Sequence, residues 1–219
     1  MAQIAEDLLL LLLDNESGQP RLHRWALGRV LAAALLLDLA HDCRVRPAVP
    51  GDAAQPGHLV ALAGPVPMDP AVRPALALLE RGPITADAAI TTLRKRAEDD
   101  VLDQLLRTGQ IHQIQLSSHR LRRNRYAWPM HDRRRIDAVR GALNGALFAA
   151  RPPQPSAAAV IALLHTTGGL GAALGLDESG LAQAGHRAAE ITFGAWGQGS
   201  SPADVNLAVT AATVLPALG

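Results

Sequence analysis

Apolar positions along this chain recur mostly three and four residues apart, the period of one helical face. The densest stretch, Ile4 to Leu13, contains six consecutive leucines, Leu8 to Leu13, with Glu6 and Asp7 before them and Asp14, Asn15 and Glu16 after. A helix with no wet face belongs in a core, and Asn15-Glu-Ser-Gly18 ends it as a turn. The run is far shorter than the ~20 apolar residues that cross a bilayer, and it lacks the basic start and small-residue cleavage site of a secretory signal. Trp25 to Ala40 predicts a second, central helix. Leu27, Val30, Leu31, Leu35 and Leu39 keep its helical spacing, and Ala32 to Ala34 permit close approach of a neighbour. Arg44 to Ala48 and His58 to Leu62 are short β-like runs around Pro50-Gly-Asp52 and Pro56-Gly57, which predicts a hairpin. Gly64-Pro-Val-Pro67 and Pro70 then make a stiff connector.

From Pro70 the pattern changes to helix, turn, helix, hairpin. Ala71 to Glu80 is helical, Arg81-Gly-Pro83 turns, Thr85 or Asp87 serves as N-cap, and helical periodicity runs to Leu106 with one break before Gly109 closes it. Ile111 to Leu116 and Arg125 to Trp128 form the second hairpin, stopped by Pro129. Asp132 caps a helix with Ile136, Val139, Leu143 and Leu147 on one face, and Pro152-Pro153 ends it. Helices follow over Ser156 to Thr167, Glu178 to Thr192 and Pro202 to Leu218, with the glycines from Gly168 to Gly175 reading as a helix break. The expected fold is mainly α: a single-domain helical bundle over residues 1–219, of about eight helices with two small β-hairpins.

Composition agrees. Hydrophobic residues make up 48% of the 219, which excludes global disorder, and aromatics only 3%, so the core must be Leu, Ala and Val packed between helices. The lone cysteine, Cys43, excludes an internal disulfide or a multi-cysteine zinc site, fits a reducing cytosol, and is expected as a small buried hydrophobe. No H-E-x-x-H, P-loop or G-x-S-x-G occurs, and the eight histidines are scattered. His165 reads as a core or helix-end histidine. The sequence therefore nominates no catalytic residue, no metal site and no cofactor.

Charge alters this picture locally. The net charge is +1, yet between His119 and Arg140 lie eight arginines (120, 122, 123, 125, 133, 134, 135 and 140) against Asp132 and Asp137, a formal +6. Leu121 among Arg120, Arg122, Arg123 and Arg125 at a hairpin tip is a mixture suited to an anionic bilayer surface, where each basic residue contributes ~1 kcal/mol. Ala71 to Trp128 also reads as a winged helix with a basic wing, joined by Arg94-Lys-Arg96. Glu98, Asp99, Asp100 and Asp103 on the helix before the wing repel nucleic-acid phosphate, which places nucleic acid second. A protein-interaction scaffold that self-associates through the hairpin is a third reading.

Several segments, taken in order, carry a family resemblance. They are Leu8-Leu-Leu-Leu-Leu-Leu-Asp14 with Asn-Glu-Ser-Gly18, Ala34-Leu-Leu-Leu-Asp-Leu-Ala40 with Arg44, Leu105-Leu-Arg-Thr-Gly109 ahead of the hairpin, Ile161-Ala-Leu-Leu-His165, and Ala208-Val-Thr-Ala-Ala212. Over nearly the whole chain the sequence resembles the Golgi phosphoprotein 3 family, in its bacterial branch. The resemblance implies a non-enzymatic peripheral membrane protein that binds phosphatidylinositol 4-phosphate, here a cytoplasmic protein on the inner face of the membrane. Eukaryotic members also hold glycosyltransferase tails, so a membrane-protein client is implied, as is self-association through the hairpin. The family's phosphate pocket uses a Trp and an Arg around the start of the second helix and two basic residues three apart on a later one. These positions fall on His23, Ala32, Lys95 and Glu98, of which Lys95 keeps its charge. Trp25 stands two residues from His23, while Arg29 is three from Ala32 and Arg94 four from Glu98, spacings that share a helix face. The expected lipid-phosphate site is thus Trp25, Arg29, Arg94 and Lys95, and the expected membrane-facing hairpin is Leu121, Arg122, Arg123 and Arg125.

Overall fold

The computed structural model of the chain describes residues 3–116, 126–194 and 201–219. In order come α1 (Ile4–Leu12), α2 (Arg24–His41), β1 (Val45–Pro47), β2 (His58–Ala61), a 3-10 turn (Pro70–Val72), α3 (Arg73–Leu79), β3 (Ile84–Thr85), α4 (Ala86–Leu93) and α5 (Ala97–Arg107). Then follow β4 (Ile114–Gln115), β5 (Tyr126–Ala127), α6 (Arg134–Phe148), α7 (Pro155–Thr166), α8 (Leu170–Leu174), α9 (Glu178–Phe193), α10 (Pro202–Val214) and a last 3-10 turn (Leu215–Leu218). The mainly α reading is borne out, with ten α-helices among the described residues against the eight expected.

Two helices account for the difference. The predicted break before Leu106 falls at Arg94–Arg96 and separates α4 from α5, and the glycine stretch read as a break holds the five-residue α8, ended by Gly175 at φ 66°. Thr85 is the N-cap of α4, its hydroxyl accepting from the Ala88 amide at 3.3 Å. The first hairpin gains a strand, because β3 pairs antiparallel with β2 through Leu59 and Ile84, giving the sheet order β1-β2-β3. Two residues are too few for alternation to reveal a strand. Cys43 departs from expectation. It follows the end of α2 in the left-handed region, φ 53°, and this turn leaves it exposed rather than buried.

The leucine run sits where its pattern requires. Leu8 to Leu13 are each no more than 2% exposed, in contact with α2, α5, α6, α7 and α8. Each fully buried leucine contributes roughly 1.5–3 kcal/mol relative to an exposed one. The N-terminus of α1 is buried too, so its free amides need acceptors. Asp38, from α2, supplies them: its carboxylate accepts from the Ile4 amide at 2.8 Å and the Ala5 amide at 3.0 Å. This cap comes from 34 residues away and ties α1 to α2.

The α2 helix is the spine, buried along Leu27, Gly28 and Val30 to Ala40. Its C-terminal end is fixed by Asn206 of α10, whose Nδ2 donates to the carbonyls of Ala40 and Val45 at 2.6 and 2.7 Å. At its N-terminal end Arg29 donates to the Ala217 carbonyl in the last 3-10 turn. α10 therefore runs antiparallel to α2, and the C-terminal segment holds both ends of the spine, leaving its N-terminal tip at the surface.

Candidate functional site: a cleft between two helix starts

A cleft of about 470 Å³ lies where α2 begins and α4 passes into α5, lined by His23, Arg24, Trp25, Arg94, Lys95, Glu98 and Asp99. A close approach of backbone builds it. A Cβ on Gly28 would lie 2.5 Å from the Arg94 carbonyl oxygen, so only glycine lets the α4–α5 link rest on α2 at this depth. That contact sets Arg94 and Lys95 opposite the first turn of α2. Both helix starts point positive dipole ends at this region, and α5 begins at Arg96 without a side-chain cap.

The structure brings three of the four expected site residues, Trp25, Arg94 and Lys95, onto this cleft. The fourth, Arg29, is not among its lining residues but stands behind it. Its guanidinium lies 5.1 Å from the centre of the Trp25 ring and 3.7 Å from Asp87, and it donates to the Ala217 carbonyl. Arg29 is therefore a buttress for the ring rather than a wall of the cleft. Trp25 itself is 56% exposed. Arg94 Nε is buried without a hydrogen-bond partner, a costly state for a charged group unless an acceptor reaches it.

His23 and Arg24 were not among the expected site residues. His23 occupies the N-cap of α2, and its Nδ1 accepts from the Trp25 amide at 3.4 Å. Arg24 faces Glu98 across the cleft. Burial raises the Glu98 carboxyl above its ordinary value, Arg24 acts against that rise, and Asp99 adds to it. The signal for Arg24 was its place beside Trp25 at a helix start. The cleft thus sets Arg24, Arg94 and Lys95 against Glu98 and Asp99, a modest positive excess.

The second hairpin is fastened beside this site. Trp128 donates its amide to the Gly18 carbonyl at 2.8 Å, and Gln19 donates to the Tyr126 carbonyl at 2.5 Å, so β5 is anchored on the α1–α2 loop that leads to His23. The same loop is locked by Asp14, which accepts from Ser17 and Arg21 and is held well below the usual carboxylate range, chiefly by Arg21. The expected hairpin-tip residues Leu121, Arg122, Arg123 and Arg125 lie outside the described residues. Of the remaining arginines in the basic segment, Arg135 is part-buried in a bridge to Glu6 at 2.6 Å and Asp7 at 2.7 Å, where it fixes α6 to α1.

Among the described residues no group of three or more His, Cys, Asp or Glu side chains is placed to hold a metal ion. Nor is any described helix long and apolar enough to cross a membrane. The fold and the site define a mainly helical protein with a small cationic cleft beside an anchored hairpin. The family comparison names the class: the profile described as Golgi phosphoprotein 3 (GPP34) matches residues 4–211, nearly the whole chain, and the protein belongs to that family. A search of curated proteins returns no match.

Proposed function

We propose that the protein is a non-catalytic, peripheral binder of anionic lipid headgroups, acting on the inner face of the cytoplasmic membrane. A headgroup phosphate enters the cleft between α2 and α5, where Lys95, Arg94 and Arg24 supply charge and donors. Trp25, stacked on Arg29, presents a large amphipathic ring to the bilayer interface. A phosphomonoester such as that of phosphatidylinositol 4-phosphate suits the site best, because its double charge is drawn more strongly to Arg24, Arg94 and Lys95 than the single charge of a diester. A nucleic-acid strand fits less well, since its successive phosphates would pass the acidic face of Glu98, Asp99 and Asp103. A membrane-protein client and self-association through the hairpin belong to the same reading.

The observation that supports this most is the meeting of Trp25, Arg94 and Lys95, far apart in sequence, on one cleft. The test is a titration with a soluble inositol phosphate headgroup, followed by the Trp25 indole N–H resonance, assigned with Trp25→Phe. A saturable shift that Lys95→Glu abolishes is expected. No shift, or an equal shift in Lys95→Glu, would contradict the reading.

A further inference from the structure

A surface helix ordinarily turns charge toward solvent. The helix α5 does so, exposing Asp99, Asp103 and Arg107. From Pro202 to Leu218, through α10 and the last 3-10 turn, the exposed residues are Pro202, Val205, Val209, Ala212 and Pro216, and every one is apolar. Val205 and Val209 are 48% and 52% exposed. Their spacing of three, four, three and four keeps a single seam along a helix. Asp204 is the only charged residue in this stretch, and it is turned to Ser201 at 2.7 Å and His41 at 3.5 Å.

Beside the seam runs a groove of about 480 Å³ between α10 and the end of β1, walled by Pro47, Val49, Pro202, Val205 and Val209. Its polar members are already engaged. Arg46 is paired with both carboxylate oxygens of Asp52, and Asn206 donates to the Ala40 and Val45 carbonyls. Ridge and groove therefore lie side by side with no unpaired charge to select a partner of opposite sign. A bilayer is a poor match, because a helix lying in an interface carries Lys or Arg beside its apolar face, and none occurs from Pro202 to Gly219. The surface that fits is the same surface on a second copy. Each ridge enters the other's groove, which is a closed two-fold contact.

We infer that α10 is the interface of a parallel, two-fold dimer of this chain, packed through Val205, Val209 and Ala212. Spacings of three and four favour crossing near 20°, so the two copies of α10 lie almost side by side. The orientation rests on the lipid-binding reading above. The C-terminal end of the seam is the cleft end, since the Ala217 carbonyl accepts from Arg29, which stacks on Trp25. A parallel pair presents both clefts to one bilayer, where two weak headgroup contacts act together. The 13 residues of α10 span about 20 Å, a contact at the small end of interfaces, with a Kd on the order of 10 µM.

Sedimentation equilibrium of the full chain without lipid, from about 1 to 100 µM, brackets this affinity. Wild type should pass from monomer to twice that mass. Val205→Lys/Val209→Glu leaves the net charge unchanged and sets like charge against like across the two-fold axis. It should stay monomeric and melt as wild type does, because both positions are exposed. It should also bind phosphatidylinositol 4-phosphate vesicles about ten-fold or more weakly than wild type. Orientation is read by Val205→Cys in a Cys43→Ser background. Parallel copies bring residue 205 opposite itself, near the ~4.4–6.8 Å Cα separation of a disulfide, and oxidation should cross-link them. An antiparallel pair centred on Val209 separates the two by ~12 Å along the axis. Wild type that remains a monomer, or a double variant that dimerises as wild type does, would overturn the interface. A dimer without the Val205→Cys cross-link would overturn the parallel arrangement. The masses are measured without lipid, so failure of the cleft to bind headgroups leaves them unchanged.

Discussion

The Arg29 guanidinium lies against the ring of Trp25, 5.1 Å from its centre, while the same side chain donates to the Ala217 carbonyl at the end of the chain. One residue thereby ties the surface ring of α2 to the closing turn of the fold. A cation–π contact of this kind is worth ~0.5–1 kcal/mol, and a charged hydrogen bond ~1.5–3 kcal/mol. Arg29→Met, which keeps much of the side-chain bulk, should lower stability by about 1–3 kcal/mol in urea denaturation. Headgroup affinity should fall about 2- to 5-fold through loss of ring order, the ~0.5–1 kcal/mol of that contact. Unchanged affinity at reduced stability would limit Arg29 to a folding role.

Glu98 opposes the function proposed for the cleft. Arg24 only partly offsets the effect of burial on it, and its carboxyl sits above the ordinary value of 4.5. Falling pH therefore neutralises Glu98 sooner than an exposed glutamate, and anion binding should tighten as pH drops from neutral. The difference between wild type and Glu98→Gln isolates this group from the others around the cleft. That difference should shrink toward acid pH. Glu98→Arg, which changes the local charge by two, should raise affinity about 5- to 30-fold at neutral pH, on ~1 kcal/mol for each basic charge at an anionic surface.

Gly28 sets the depth of the cleft. With a Cβ placed 2.5 Å from a backbone oxygen, Gly28→Ala must push the Arg94–Arg96 link off α2. A loss of about 1–3 kcal/mol is expected, the usual cost of overpacking, together with weaker headgroup binding as Arg94 and Lys95 move away from Trp25. Gly185 is the control, because a Cβ there would meet nothing within 4 Å: Gly185→Ala should leave binding unchanged.

Asp38 gives the fold an opposite pair of effects. As the cap of α1 it satisfies two buried amides, so Asp38→Ala should destabilise by about 2–3 kcal/mol. Its burial nonetheless holds the carboxyl well above the ordinary 3.8, with Asp69 and Asp42 contributing in the same direction. Between 3.8 and that raised value the folded chain binds more protons than the unfolded chain, so Asp38 makes stability fall as pH rises. Asp52, lowered to about 2 mainly by Arg46, acts with the other sign, and its stabilisation is lost as pH falls from 3.8 toward 2. Denaturation of wild type and Asp38→Asn at several pH values above about 4 should show the wild type losing its advantage as pH rises. A constant difference would contradict this.

Much of the fold was legible because helical periodicity survives without knowledge of contacts: the leucine run and the spine at Trp25 to Ala40 lie where their spacing put them, whereas α10, expected to pack through Val205, Val209, Ala212 and Leu215, leaves Val205 and Val209 exposed and buries Leu207, Ala211 and Val214 instead. What the pattern missed was short or long-range. β3 is two residues, α8 is five, and the capping of α1 by Asp38 joins positions that no local spacing connects. In the cleft, Trp25, Arg94 and Lys95 could be nominated from residue type and family resemblance. The position of Arg29 behind the ring depends on the Ala217 carbonyl, 188 residues away, and the opposition of Arg24 to Glu98 became visible only once α5 was placed beside the start of α2. The basic segment read as one charged face divides in the fold, because Arg135 turns inward to Glu6 and Asp7 while Arg134 stays exposed beside Asp132.

Recognition of phosphate on a membrane surface by the cleft is tested most directly by co-sedimentation of wild type and Lys95→Glu with phosphatidylcholine vesicles, plain or containing phosphatidylinositol 4-phosphate, at low salt. Wild type is expected to pellet with the phosphoinositide vesicles and not with plain ones, and Lys95→Glu to lose most of that binding. Equal binding of wild type to both vesicle types, or Lys95→Glu binding as well as wild type, would contradict recognition at this cleft.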